Sequence, residues 1–141
     1  MSVILQLHTV FVWPLIIIAS LALICGIVYY IQRRRVADSE SGASSSLALI
    51  RRSFRILLIT TATFGLLQCI WGALLFANGA RPGDQLHYVY GAIVLLAIPV
   101  AYVYSDQKRI RRDILIMGIG LILVIGAAVR AFMTGPTVLP K

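Results

Sequence analysis

The chain has 141 residues, of which 60% are hydrophobic, and its mean hydropathy is +0.91. Soluble domains are only about 45–50% apolar, so this composition excludes an ordinary soluble protein and predicts an integral membrane protein. The net charge of +8 does not require a nucleic-acid partner, because a basic inner face suits anionic lipid headgroups. We therefore expect the lipid bilayer to be the main surroundings of the chain.

Four apolar runs are long enough to cross a bilayer, whose hydrocarbon core needs about 20 residues per helix. They lie at approximately residues 8–31, 56–78, 86–104 and 114–133. Charged clusters separate them, which argues against four buried helices of a soluble protein. The predicted fold class is all-α: a four-helix, up-down integral membrane bundle that makes a single domain of residues 1–141.

The basic residues predict how this bundle is oriented. Ten of the thirteen lie in the first and third loops or their flanks, namely Arg33, Arg34, Arg35, Arg51, Arg52, Arg55, Lys108, Arg109, Arg111 and Arg112. Only Arg81, Arg130 and Lys141 fall on the other side, so the positive-inside rule places both termini outside, on the periplasmic or extracytoplasmic face. Residues 36–45 are small and polar and predict a flexible cytoplasmic linker. The expected location is the bacterial inner (plasma) membrane, which the chain crosses several times.

The apolar runs contain few groups that could carry chemistry. All five acidic residues lie in loops or at helix ends, whereas an ion-coupled transporter generally shows an ionisable group within the membrane. Gln68 is the strongly polar side chain nearest the membrane middle, and its simplest role is a hydrogen bond between helices. We see no catalytic constellation and therefore do not expect an enzyme.

The two histidines form the best functional lead. His8 and His87 both lie near the outer start of a helix that runs inward, so the topology brings them to the same depth. Two neutral imidazoles in a helical bundle can provide both axial ligands of the iron of a b-type haem, or bind another tetrapyrrole such as a chlorophyll. Gly91 leaves room one turn beyond His87 for a flat macrocycle. Arg81 and Arg130 lie on the same side and are candidate partners for haem propionates.

A simpler interpretation of the histidines stays open at this point. Histidine is tolerated at a membrane surface, and Tyr88 and Tyr90 beside His87 are typical of an interfacial aromatic belt. On this interpretation His8 and His87 only anchor their helices among the headgroups. The sequence pattern is compatible with both the ligand and the anchor.

Two segments resemble one four-helix half of a haem A synthase. They are "LHTVFVW", which opens the first helix, and "LLQCIWGALLFANGARPGDQLHYVYGAIVLL", which spans the second and third. In that family each half carries histidines at the outer ends of alternate helices, and the pair flanks a haem. The matching positions here are His8 and His87, with Gln68 and Gly72 between them in a Q-x-x-x-G pattern. The chain has one half rather than two and lacks the outer loop with an acidic residue and cysteines, so the resemblance implies haem binding rather than the oxidising activity.

Three functions compete on this basis. The favoured one is a small integral membrane subunit or accessory protein of a larger respiratory or photosynthetic electron-transfer complex, holding a b-type haem or another tetrapyrrole near the outer face. The alternative is a stand-alone bis-histidine b-haem membrane protein, present as a homo-oligomer. A small transporter is disfavoured by the lack of intramembrane charge. The expected protein partners are other membrane subunits or a second copy of the chain.

Overall fold

The computed structural model describes residues 2–36, 44–105 and 110–135. Within these ranges the chain forms α-helices and no strands, which confirms the predicted all-α class. The helices are α1 (Ser2–Val36), α2 (Ser44–Ala77), α3 (Leu86–Tyr104) and α4 (Ile110–Thr134). Residues 37–43, in the middle of the predicted linker, lie outside the described residues.

All four helices of the described segments are long and apolar enough to cross a membrane. α1 and α2 contain 35 and 34 residues, which is about 50 Å at 1.5 Å per residue and exceeds a hydrocarbon core of about 30 Å. Both therefore extend beyond their predicted spans. Arginine favours helix, so basic flanks such as Arg33–Arg35 continue the helical backbone past the apolar run. α3 and α4, with 19 and 25 residues, stay close to the predicted lengths.

The helices pack in a ring. α1 packs against α2 and α4, while α3 packs against α4 and, less extensively, against α2. In the part of the chain that the structure describes, the backbones of α1 and α3 make no close contact, so these two helices lie diagonally opposite each other. Side chains from α1 and α3 can therefore meet only across the middle of the bundle.

Small residues bring α3 and α4 close together. A Cβ placed at Gly120 would lie 3.0 Å from the Cβ of Ala101 and 3.2 Å from the carbonyl oxygen of Ala97. Such close approach of backbones is how helices commonly associate in a membrane, where lipid is as apolar as the helices themselves. The best-buried large side chains, Leu15 on α1 and Leu121 on α4, lie in the same core.

The outer surface of the bundle is covered by large apolar side chains. Exposed examples are Ile17, Leu21, Ile24, Ile59, Leu96, Val103, Ile119 and Ile122. A helix of a soluble bundle would carry charged and polar residues on this face, and an apolar surface of this extent marks contact with another apolar phase. The chain is a multi-pass membrane protein whose helices face lipid.

The packing at Gly120 gives a first prediction. Gly120→Ala should lower the stability of the bundle by about 1–3 kcal/mol, because the added methyl group overpacks the α3–α4 contact. Gly126→Ala on the same helix is the matched control, since a Cβ there meets nothing within 4 Å and alanine favours helix over glycine. Thermal unfolding in detergent measures both variants. Equal stability of the two would contradict the close contact.

Candidate functional site

His8 on α1 and His87 on α3 meet across the bundle. Their ring centroids are 6.0 Å apart, and the ring planes are inclined by 66° in an edge-on arrangement. Because α1 and α3 are diagonal, the contact is made by the side chains and not by neighbouring backbones. The structure thus brings together the two histidines that the sequence placed at one depth.

The ring of His87 is fixed by the backbone of α4. Its Nδ1 lies 2.9 Å from the carbonyl oxygen of Ala131. A carbonyl oxygen only accepts hydrogen bonds, so Nδ1 carries the proton and donates it. In the neutral ring this leaves a lone pair on Nε2, which is the form in which histidine binds metals.

The surroundings of His8 are less complete. The amide Nε2 of Gln68 donates a hydrogen bond to the carbonyl oxygen of His8 over 3.0 Å, which is the predicted interhelical role of Gln68. Yet His8 Nδ1 and Gln68 Oε1 are both buried without a hydrogen-bond partner. Leaving a buried polar atom unpaired costs about 1–3 kcal/mol. Two buried polar atoms, one on His8 and one on Gln68, therefore have no hydrogen-bond partner.

Both histidines line a cavity with a volume of about 650 Å³. Every helix contributes to its wall, which is mainly apolar and includes Val12, Leu75, Leu95 and Ala128. Ligand sites in proteins typically measure about 300–1,000 Å³ and combine apolar walls with a few polar groups. The cavity therefore has the size and character of a small-molecule site.

Two glycines shape the space around the histidines. A Cβ at Gly91 would meet nothing within 4 Å, so the cavity beside this residue is open. A Cβ at Gly72 would lie 3.5 Å from Cε1 of His8. Because Gly72 has no side chain, the imidazole of His8 can lie close to α2. Gly91 leaves free volume next to α3.

The two candidate arginines lie in different places. Arg81 lines the cavity, donates hydrogen bonds of 3.0 Å to the carbonyl oxygens of Phe76 and Ala80, and lies 4.1 Å above the ring of Phe76. Arg130 does not line the cavity, and its guanidinium lies 5.8 Å from the ring centroid of Tyr90. Only Arg81 is therefore next to the predicted site.

The sequence pattern missed other contributors to the site. Ala131 acts through its main-chain carbonyl, which leaves no trace in the side-chain pattern. Cys69 lines the cavity, and its thiol donates to the carbonyl oxygen of Gly91 over 3.5 Å. Neither cysteine in the described chain is in a disulfide.

The donor set limits what could bind here. No group of three or more His, Cys, Asp or Glu residues occurs among the described side chains. A bare zinc ion normally needs three or four protein ligands, so the two imidazoles alone do not suit one. A metal ion that is already held by a macrocycle needs only one or two axial ligands from the protein.

Comparison of the chain with protein-family models, curated proteins and solved structures returned no match. The likeness to one half of a haem A synthase therefore stays a prediction from the quoted segments. The histidine contact and the cavity do not depend on it, since both follow from the fold of this chain.

The two unused polar atoms give a prediction about stability. Gln68→Met should lower the free energy of unfolding by about 1–2 kcal/mol, because it removes the hydrogen bond to the His8 carbonyl and leaves the polar groups of His8 without a partner. Gln68→Ala should cost about 2 kcal/mol more, since it also leaves a void. Thermal unfolding in detergent compares the two. A methionine variant as unstable as the alanine variant would contradict this description of Gln68.

Proposed function

We propose that this chain is a small membrane protein that binds one b-type haem, with His8 and His87 as its two axial ligands. The observation that carries the proposal is the 6.0 Å separation of the two imidazole rings inside the cavity. Two metal–nitrogen bonds of about 2 Å, one on each side of a metal, place the centroids of the rings roughly 6 Å apart. The pair thus has the spacing that axial ligation requires.

The cavity supports a haem over other tetrapyrroles. Imidazole nitrogen suits iron, and haem iron can take an axial ligand from each of two facing residues. The apolar wall suits the faces of a macrocycle, and the open space beside Gly91 gives one edge of it room.

The candidate site residues have different parts in this proposal. His87 would present Nε2 to the metal, because its Nδ1–H is held by the carbonyl of Ala131. Arg81, at the wall of the cavity, would exchange a carbonyl hydrogen bond for a charged one to a propionate. Arg130 would stay over Tyr90 and outside the site. A haem held by His8 and His87 would supply one-electron transfer.

The orientation in the membrane is part of the proposal. We infer an up-down bundle with both termini outside and the haem near the outer face. Contacts between the start of one helix and the end of the next support it, as between His8 and Gln68 and between His87 and Ala131. The arginine clusters at the end of α1 and the start of α4 lie at the other end of their helices, as the positive-inside rule requires.

The biological setting follows from the chemistry of the site. A bis-histidine haem suits electron transfer, and we propose that the chain serves as a small subunit or accessory protein of a larger electron-transfer complex in a bacterial plasma membrane. A stand-alone haem protein, present as a homo-oligomer, would use the same site. We also propose descent from the haem-binding half of a haem A synthase, on the positions His8, Gln68, Gly72 and His87.

An absorption spectrum tests the proposal. The protein purified with haem, or reconstituted with hemin, should show a Soret band at one haem per chain. His8→Ala and His87→Ala should each abolish or strongly weaken it, since these are the only histidines in the sequence. Thr9→Ala, next to His8 and also on the cavity wall, is the control and should keep the band. A band that survives in either histidine variant would exclude that residue as a ligand.

The open space beside Gly91 allows a second test. Gly91→Leu should abolish hemin binding without unfolding the protein, because its side chain enters the cavity at a point where an added Cβ meets nothing within 4 Å. Gly126→Leu, on α4, is the matched control: a Cβ there also meets nothing within 4 Å, but Gly126 does not line the cavity. Hemin titration and thermal unfolding measure both variants. Unchanged hemin binding by folded Gly91→Leu would contradict a haem in this cavity.

A further inference from the structure

The two histidines differ in how their rings are held. His87 donates from Nδ1 to the carbonyl oxygen of Ala131 at 2.9 Å, which fixes both its proton and its orientation. Nδ1 of His8 is buried and has no partner. Metal-binding histidines almost always donate a hydrogen bond from the second ring nitrogen to an acceptor. A metal site that uses His8 therefore needs an acceptor close to Nδ1 of His8.

Gln68 has the missing acceptor. Its side chain is only 8% exposed, and its Nε2 is already attached to the carbonyl oxygen of His8 at 3.0 Å. That bond uses the donor half of the amide and leaves Oε1 buried without a partner. A buried donor-capable nitrogen and a buried acceptor therefore belong to two residues that are already in contact.

The pairing is specific within the described chain. Among its buried side-chain nitrogen and oxygen atoms, only Asp113 Oδ1 also has no partner. Asp113 lies in the first turn of α4, whereas the contact with His87 is made by Ala131 near the other end of that helix. Gln68 is thus the unpaired acceptor on the cavity wall beside His8.

We infer that Gln68 is the positioning residue of His8. Oε1 of Gln68 accepts a hydrogen bond from Nδ1–H of the His8 ring, and this bond keeps Nε2 of His8 turned to the cavity. This bond requires a rotation of the His8 ring, while the hydrogen bond from Gln68 Nε2 to the His8 carbonyl holds the amide in place. The ring then has the same tautomer as His87, with a lone pair on Nε2. An acceptor on Nδ1 also makes the imidazole a better ligand, a consequence that rests on the haem function proposed above.

Two variants separate this role from simple packing. Gln68→Met keeps the approximate volume of the side chain but removes the acceptor. Gln68→Glu keeps an oxygen acceptor at the same position. Hemin titration should give about 10–100-fold weaker binding for Gln68→Met and near wild-type binding for Gln68→Glu. The ferric–ferrous midpoint potential should rise in Gln68→Met, because a less basic imidazole stabilises ferric iron less.

A measurement without haem tests the same inference. In protein with ¹⁵N-labelled histidine, the two residues give two sets of ring signals. His8 should carry its proton on Nδ1 in the wild type and in Gln68→Glu, and shift toward Nε2 in Gln68→Met. The ring proton of His87 should stay on Nδ1 in all three proteins, so His87 serves as the internal control.

The outcomes distinguish the two proposals. If the wild type binds no hemin but the tautomer of His8 changes as expected, the haem function fails and the role of Gln68 stands. If Gln68→Met binds hemin like the wild type, with an unchanged potential and His8 tautomer, the role of Gln68 is overturned and the haem function stands.

Discussion

An imidazole inside an apolar helical bundle must find a partner for its ring nitrogens, since each unpaired buried polar atom costs about 1–3 kcal/mol. His87 meets this constraint on one side through the carbonyl of Ala131. His8 does not, and neither does Oε1 of Gln68 beside it. The histidines of the diagonally opposite helices α1 and α3 therefore place polar groups between the helices of the bundle. The cavity lies at these groups.

The packing of the bundle divides into a tight part and an open part. At Gly120, α4 approaches α3 so closely that one added carbon would lie unusually near Ala97 and Ala101, at 3.2 and 3.0 Å. At Gly91, nearer the histidines, an added carbon meets nothing. Tight packing at the far end thus holds the helices together while the histidine end keeps room for a ligand.

Much of the fold could be predicted from the sequence, because long apolar runs separated by arginines have few alternatives. The ends of α1 and α2 could not, since a helix continues into polar flanks that hydropathy does not count. The contact between His8 and His87 agrees with their predicted placement at one end of the bundle. The position of Arg130 could not be predicted: α4 is apolar on most sides, so the sequence does not fix its rotation, and Arg130 lies over Tyr90. The role of Ala131 was hidden because a backbone carbonyl has no side-chain signal.

We propose that His8 and His87 bind one iron together. Electron paramagnetic resonance of the hemin-reconstituted ferric protein tests it most directly, because two strong-field imidazole ligands produce a low-spin signal that one does not. The wild type should be low-spin, and His8→Ala and His87→Ala should each convert any retained haem to the high-spin form. A low-spin signal that persists in both variants, or a wild type that is high-spin, would contradict joint ligation by the pair.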